Sequence, residues 1–292
     1  MDVLNNLFKP TYRNVTSFLE VIDVITGLRE IIKSFDYLIE APEWTHDGKS
    51  IVFNSLGRIY ELSLSTGEIS EVNTEFASNC NNDHVISPCQ SQIAFSHNTH
   101  EDGLSRIYRM PFSGGIPTLI TPLGPSYLHS WSVDGKALAY CAERNGEYDI
   151  YVISSSGGVE KQLTKQFGHN DGPEFSPCGR YIYFNSTHSG LMQIWRMQVD
   201  GTEKKQVTDG TGNYWFPHLS PDGNRLVCIV YDSNSVPAYD HPANKHVRLE
   251  LMSSDGKGAV SLAELFGGQG TINVNSWAPD SRRLAFVSYA LK

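Results

Sequence analysis

The stretch GPEFSPCGRYIYF, residues 172–184, holds a short apolar entrance, a serine, a four-residue turn and a run of aromatic and aliphatic side chains. The same order recurs in PEWTHDGKSIVF (42–53), DHVISPCQSQIAF (83–95), LHSWSVDGKALAY (128–140), FPHLSPDGNRLVC (216–228) and VNSWAPDSRRLAF (274–286). Thr45, Ser87, Ser132, Ser176, Ser220 and Ala278 stand at the same place in each copy, spaced by 42, 45, 44, 44 and 58 residues. Pro-Asp-Gly turns and their Asn and Ser variants supply the positive φ that a tight hairpin demands. After each hairpin comes a second one, as in RIYELSLSTGEISEV (58–72) and DIYVISSSGGVEKQL (149–163). Each unit of roughly 44 residues thus holds four antiparallel strands, the size of a propeller blade.

The sixth unit stops after RRLAFVSYALK (282–292). Its missing half lies at the other end of the chain, where FLEVIDVITGLREII (18–32) superposes on the second hairpin of the first unit, Ile25-Thr26-Gly27 on Ser65-Thr66-Gly67. The expectation is an all-β, six-bladed β-propeller in one domain, its last blade closed by N-terminal strands, which removes the free sheet edges of a linear array. Blade bounds are 38–80, 81–126, 127–168, 169–212, 213–270, and 271–292 with 14–37.

The blade signature, an aromatic residue followed by Ser-Pro-Asp-Gly, a basic residue and an alternating apolar strand, resembles that of TolB-like propellers, the WD-like β-propeller repeat family. The resemblance runs from about residue 14 to the end and implies the fold, with a channel face that accepts a peptide or small ligand. The extra N-terminal domain of that family is not expected here. Similar repeats build the propellers of prolyl-oligopeptidase-like enzymes, but no G-x-S-x-G nucleophile elbow occurs in this sequence. They also build oligogalacturonate lyases, in which a divalent metal sits on histidines in the channel.

A formal charge of −9 and no Lys/Arg run longer than two residues leave no electrostatic footprint for nucleic acid or an anionic membrane. No apolar stretch is long enough to insert in a bilayer, and MDVLNNLFKPTYRN (1–14) lacks a secretory pattern. Five cysteines, an odd number with no C-x-x-C, read as reduced thiols in a cytoplasmic protein.

In NNDHVISPC (81–89) amides, a carboxylate and an imidazole crowd the entrance of an innermost strand. Innermost strands flank the channel, so their entrances open on one face, here the front face; the Pro-Asp-Gly turns lie at the back. His84, His129, His169 and His218 precede innermost strands, and His97, His100, His188, His241 and His246 fall in or beside loops returning to the front; only His46 falls at the back. Asn82, Asp83, Asn170, Asp171, Asn273 and Asn275 join them, with the aromatics Tyr127, Tyr214, Trp215 and Phe216 among them. Three residues before the repeated small residue stand His84, His129 and Asn275, which converge if the register holds. His84 and His129 would suit a divalent metal such as zinc, manganese or iron, with Asp83 or Asp171 as oxygen ligand. Equally, Asn, Asp and His at strand ends are ordinary turn formers and water holders. The insertion YDSNSVPAYDHPANKH (231–246) emerges at the front as a lid, with Tyr239 and His241 placed to touch a ligand. Trp44, Trp131, Trp277 and Trp195 read as packing residues, and GGQG (267–270) as a tight connection between blades.

The favoured function is a binding or protein-interaction module whose front face and channel take a peptide, protein or saccharide. The alternative is a metal-dependent, lyase-like enzyme acting on a carbohydrate in the same channel, where a metal would acidify a C–H bond and a His or Lys would remove the proton. A purely structural scaffold would not need so many polar groups on one face.

Overall fold

The repeated serine or threonine fixes each hairpin. Thr45, Ser87, Ser132, Ser176 and Ser220 accept on their side-chain oxygens the N–H five residues on, at 2.9–3.1 Å. At the sixth copy Ala278 relies on the backbone, donating to the Arg283 carbonyl at 2.8 Å. The residue three beyond the anchor has positive φ in all six turns: Gly48, Gly135, Gly179 and Gly223, but also Gln90 (59°) and Ser281 (56°). The turn geometry is therefore kept even where the glycine is lost.

The computed structural model describes residues 14–292; residues 1–13, most of the stretch that lacks a secretory pattern, lie outside the described residues. Five sheets of four antiparallel strands follow one another in chain order. The sixth combines Arg283–Leu291 with Val15–Asp23 and Arg29–Phe35. Its innermost strand is reduced to the Trp277↔Leu284 bridge, flanked by backbone bonds from Val287 to Thr271 and Ala285 to Ser276. Nine consecutive pairs, Val15↔Leu291 to Asp23↔Arg283, join the two ends of the chain. Among the described residues no helix is long and apolar enough to cross a membrane.

Between the blades lie apolar clusters such as Leu19, Ile39, Trp44, Phe53 and Val287. Polar staples cross from blade to blade at the channel. The side chain two before the anchor reaches the next blade: Glu43 accepts the Ile86 N–H with both oxygens (2.9 and 3.1 Å), Ser130 the Phe175 N–H (3.1 Å) and Glu174 the Leu219 N–H (2.8 Å). Trp131 and Trp277 donate backwards, to the carbonyls of Val85 (2.9 Å) and His218 (3.0 Å). Those tryptophans are therefore inter-blade ties, and Trp195 packs within the cluster of Ile182 and Phe184.

In blades 1 to 5 the innermost strand is bulged against its partner. In blades 1, 4 and 5 the bulge is a positive-φ residue followed by proline: Ala41-Pro42, Gly172-Pro173 and Phe216-Pro217. Proline has no N–H, so the unpaired position leaves no buried donor. In blade 3 the surplus residue is His129, between the pairs Leu128↔Tyr140 and Ser130↔Ala139. Blade 2 carries one more extra residue: Cys80 pairs with His97 and His84 with Phe95, so Asn81, Asn82 and Asp83 bow out together.

Closure by the N-terminal strands has a measurable consequence. Leu19 is fully buried where the two chain ends meet, whereas Ile25, in the turn of the same hairpin, is 60% exposed. Leu19→Ala should cost about 2–5 kcal/mol and Ile25→Ala almost nothing, read as midpoints of denaturant unfolding. Equal, small effects would mean that the terminal hairpin does not hold the ring.

Candidate functional site

The bulges turn polar side chains into a cavity of about 1150 Å³ on the front face. Five residues before the anchors stand Glu40, Asn82, Tyr127, Asp171, Trp215 and Asn273, and all but Trp215 line this cavity. The register that faces the ligand space is thus two residues earlier than the one singled out from sequence. His129 joins it because it is the bulged residue of its strand, and Asp83 because it belongs to the larger bulge of blade 2.

His84 sits at the same distance from its anchor as His129, yet it does not line the cavity. It stays in the ladder opposite Phe95, wholly buried, with the Val52 backbone as its polar neighbour, and burial pushes its imidazole down to about 4. Trp215 is buried one layer below, its ring stacked on His241 at 4.2 Å between centroids. His218 and Asn275 form a polar knot with Glu174 that joins blades 4, 5 and 6. His218 Nε2 donates to the Ile272 carbonyl (2.5 Å), its Nδ1 lies 2.6 Å from Glu174 Oε2, and Asn275 Nδ2 donates to Glu174 Oε1 (2.9 Å). Of the residues expected at the site, Asn82, Asp83, His129, Asp171, Tyr239 and His241 surround one cavity; His84, Trp215, His218 and Asn275 do not line it.

The insertion folds over the cavity's edge. Val236 is buried in the cluster of Trp215, Phe216 and Val247, and Asn213 Nδ2 holds its carbonyl at 2.9 Å. Tyr231 donates to the Pro242 carbonyl (3.2 Å). From this base Tyr239, Asp240 and His241 reach the cavity, Tyr239 with 67% of its surface exposed. Gly270 of the GGQG connection lies so close to Glu40 that a β-carbon there would come within 2.6 Å of Oε1. Sequence reasoning placed Tyr127, Phe216 and Asn273 on the front face but missed Glu40 and Tyr148, which line the same space. Alignment five positions before the anchor would have found Glu40 beside Tyr127 and Asn273, and the left-handed backbone of Phe216 (φ 54°) marks that wall residue as strained.

Asp171 and His129 form the central pair, Nε2 to Oδ1 at 3.1 Å. Burial works against both charges, but each partner outweighs it: the Asp171 carboxyl is held well below its ordinary range and the His129 imidazole is raised. Asp83 has no such relief. Burial, with Asp171 nearby, pushes it up to about 6 despite His129 and a 2.6 Å hydrogen bond from Asn273 Nδ2. Burial and the neighbouring Asp83 raise Glu40 to about 7. Among the described residues no Lys or Arg lines the cavity, and two buried nitrogen or oxygen atoms of its lining residues, Asn273 Oδ1 and His241 Nδ1, have no hydrogen-bond partner. The donor set does not fit the metal considered from sequence. His84 faces elsewhere, and among the described residues no group of three or more His, Cys, Asp and Glu is arranged to hold an ion.

Residues 124–240 match the family model described as TolB beta propeller domain. An uncharacterised protein of Agrobacterium fabrum is 44% identical over 277 residues, covering 94% of this chain and 93% of its own. The chain belongs to the TolB-like β-propeller family. A solved TolB-like structure from Agrobacterium tumefaciens, 43% identical, superposes with a TM-score of 0.91 over 95% of this chain and 99% of that one. The Tol-Pal system protein TolB of Francisella tularensis is 23% identical over 85% of this chain, which spans only 56% of that protein. An oligogalacturonate lyase in complex with manganese shares 14% identity and a TM-score of 0.60 over 94% of this chain and 82% of its own, a likeness of fold alone. In this TolB-like chain the propeller is the whole of the described structure.

Because Glu40 and Asp83 titrate higher in the fold than in the unfolded chain, the folded state binds more protons between their two sets of values. Their unfavourable contribution is absent below about pH 4 and grows as pH rises towards 7. Glu40→Gln should therefore raise stability at pH 8 by on the order of 2 kcal/mol and change it little at pH 4. Thermal melts at the two pH values check this; a loss of stability at pH 8 would contradict the assigned environment.

Proposed function

We propose that this protein is a binding module whose ligand, a peptide or protein segment or a saccharide, seats in the front-face cavity under the edge of the 231–246 insertion. The observation that carries the reading is the cavity itself. About 1150 Å³ of space is bounded by rigid strand ends, and its lining residues Asn273 and His241 each carry a buried side-chain atom without a hydrogen-bond partner. Convergent polar groups in a large concave site mark ligand pockets, and buried polar atoms left unpaired are costly unless a ligand or water meets them. Aromatic rings on its wall, Tyr127, Tyr148, Phe216 and Tyr239, offer flat apolar surface for a sugar or side chain. A metal-dependent lyase reaction finds no fitting ligand set among the described residues. Five free cysteines, three of them buried, support a reducing compartment such as the cytoplasm.

Tyr239 isolates binding from folding, because an exposed tip contributes little to the core. A mixed panel of short peptides and oligosaccharides screened by native mass spectrometry should yield complexes with the wild-type chain. Tyr239→Ala should weaken them about fivefold or more with its melting temperature unchanged. Complexes that form equally well with Tyr239→Ala and His129→Gln would place binding elsewhere and refute the cavity reading.

A further inference from the structure

We infer that the group this cavity takes is an organic cation, an alkylammonium carried by a lysine side chain or by a free polyamine, seated among Glu40, Asp83 and Asp171 with its chain against Tyr127, Tyr148 and Phe216. The inference rests on the binding-module reading and names its ligand class. Four carboxyl groups line the cavity, Glu40, Asp83, Asp171 and the exposed Asp240, and among the described residues none of them has a Lys or Arg partner; the only ion pair any of them makes is Asp171 with His129. Asn273 supplies a second, independent sign. It is 2% exposed, its Nδ2 is spent on Asp83 and Asn82, and its Oδ1 has no donor. An unfilled acceptor beside Asp83 and Glu40, which have no ion-pair partner among the described residues, calls for a ligand with N–H donors and positive charge.

The alternatives fit less well. A carboxylate or phosphate ligand would enter a cavity with no Lys or Arg on its wall, where the one histidine in an ion pair is already held by Asp171. A bare divalent ion needs several oxygen or nitrogen ligands at short, fixed distances, and among the described residues no such group converges. An ammonium has three donors, tolerates hydrogen bonds to spread acceptors, and gains further from aromatic faces.

Occupancy by a cation is linked to protons. Asp83 is faced by Glu40, Tyr127, His129, Cys141, Asp171, Asn273 and Asn81; Glu40 by Asp83 and Asn82; Asp171 by Asp83, Tyr127, His129, Cys141, Tyr148, His169 and His241. A bound ammonium favours ionised Glu40 and Asp83, so binding releases protons and tightens as pH rises from 5 to 8.

Isothermal titration with cadaverine and with acetyl-Gly-Lys-Gly-amide, set against 1,5-pentanediol and glutarate, tests this. The amines should bind, the neutral and anionic isosteres at least about tenfold more weakly, and the amine affinity should climb about tenfold between pH 5 and pH 8. Tighter binding of cadaverine assigns a free polyamine; tighter binding of the peptide assigns a lysine side chain. Glu40→Gln and Asp83→Asn should each weaken amine binding at pH 8 by about tenfold. Their melting temperatures should equal or exceed that of the wild type, so unfolding cannot explain the loss. Absence of amine binding, or glutarate binding as tightly as cadaverine, overturns the inference. Glutarate binding that His129→Gln weakens would still leave the cavity a binding site, whereas failure of the wider panel removes both.

Discussion

Each innermost strand of blades 1 to 5 carries more residues than its neighbour can pair, and the placing of the surplus decides what faces the channel. A strand alternates sides every residue, so one extra residue reverses every side chain beyond it. In blades 1, 4 and 5 a left-handed residue and a proline absorb the surplus without leaving a buried N–H. In blade 3 a histidine absorbs it, and in blade 2 three polar residues do. The inter-blade staples from Glu43, Ser130 and Glu174 lie just past the bulges and hold the register there.

Ring closure makes those bulges useful. Six blades joined through Val15–Asp23 and Arg283–Leu291 leave the innermost strand ends facing a common space. Distant residues then meet: Asn273 of the last blade donates to Asp83 of the second, and Asn275 to Glu174 of the fourth. The charge balance is less even. Asp171 has His129, but Glu40 and Asp83 are pushed up by burial, and a buried carboxyl without a cation costs stability in neutral solution. Stability set aside in this way is commonly found at binding and catalytic sites.

The fold was legible because hairpin chemistry is local. The anchor hydroxyl, the turn aspartate and the positive-φ residue all lie within a few positions, and the split blade showed as one repeat divided between the two ends. The polar front face was legible too, since strand entrances share a side. Which residues turn inward was not, because the bulge positions break the period-two count. His84 and His129 align perfectly in sequence, yet blade 2 carries one residue more before its ladder resumes. Glu40 drew no notice in the sequence, although it stands in the same register as Asn82, Asp171 and Asn273. Trp215 shares that register and falls below the cavity, where His241 of the insertion covers it; that contact between distant segments had no local signal.

The two aligned histidines give the most direct measurement of this account. Nuclear magnetic resonance of the imidazole nitrogens, followed through a pH titration, reports each ring separately. If bulge placement sets side-chain direction, His129 keeps its proton to higher pH than a free histidine, held by Asp171, and His84 remains neutral down to about pH 4. Titration of both near the ordinary value of about 6.5, or a protonated His84 beside a neutral His129, would contradict it.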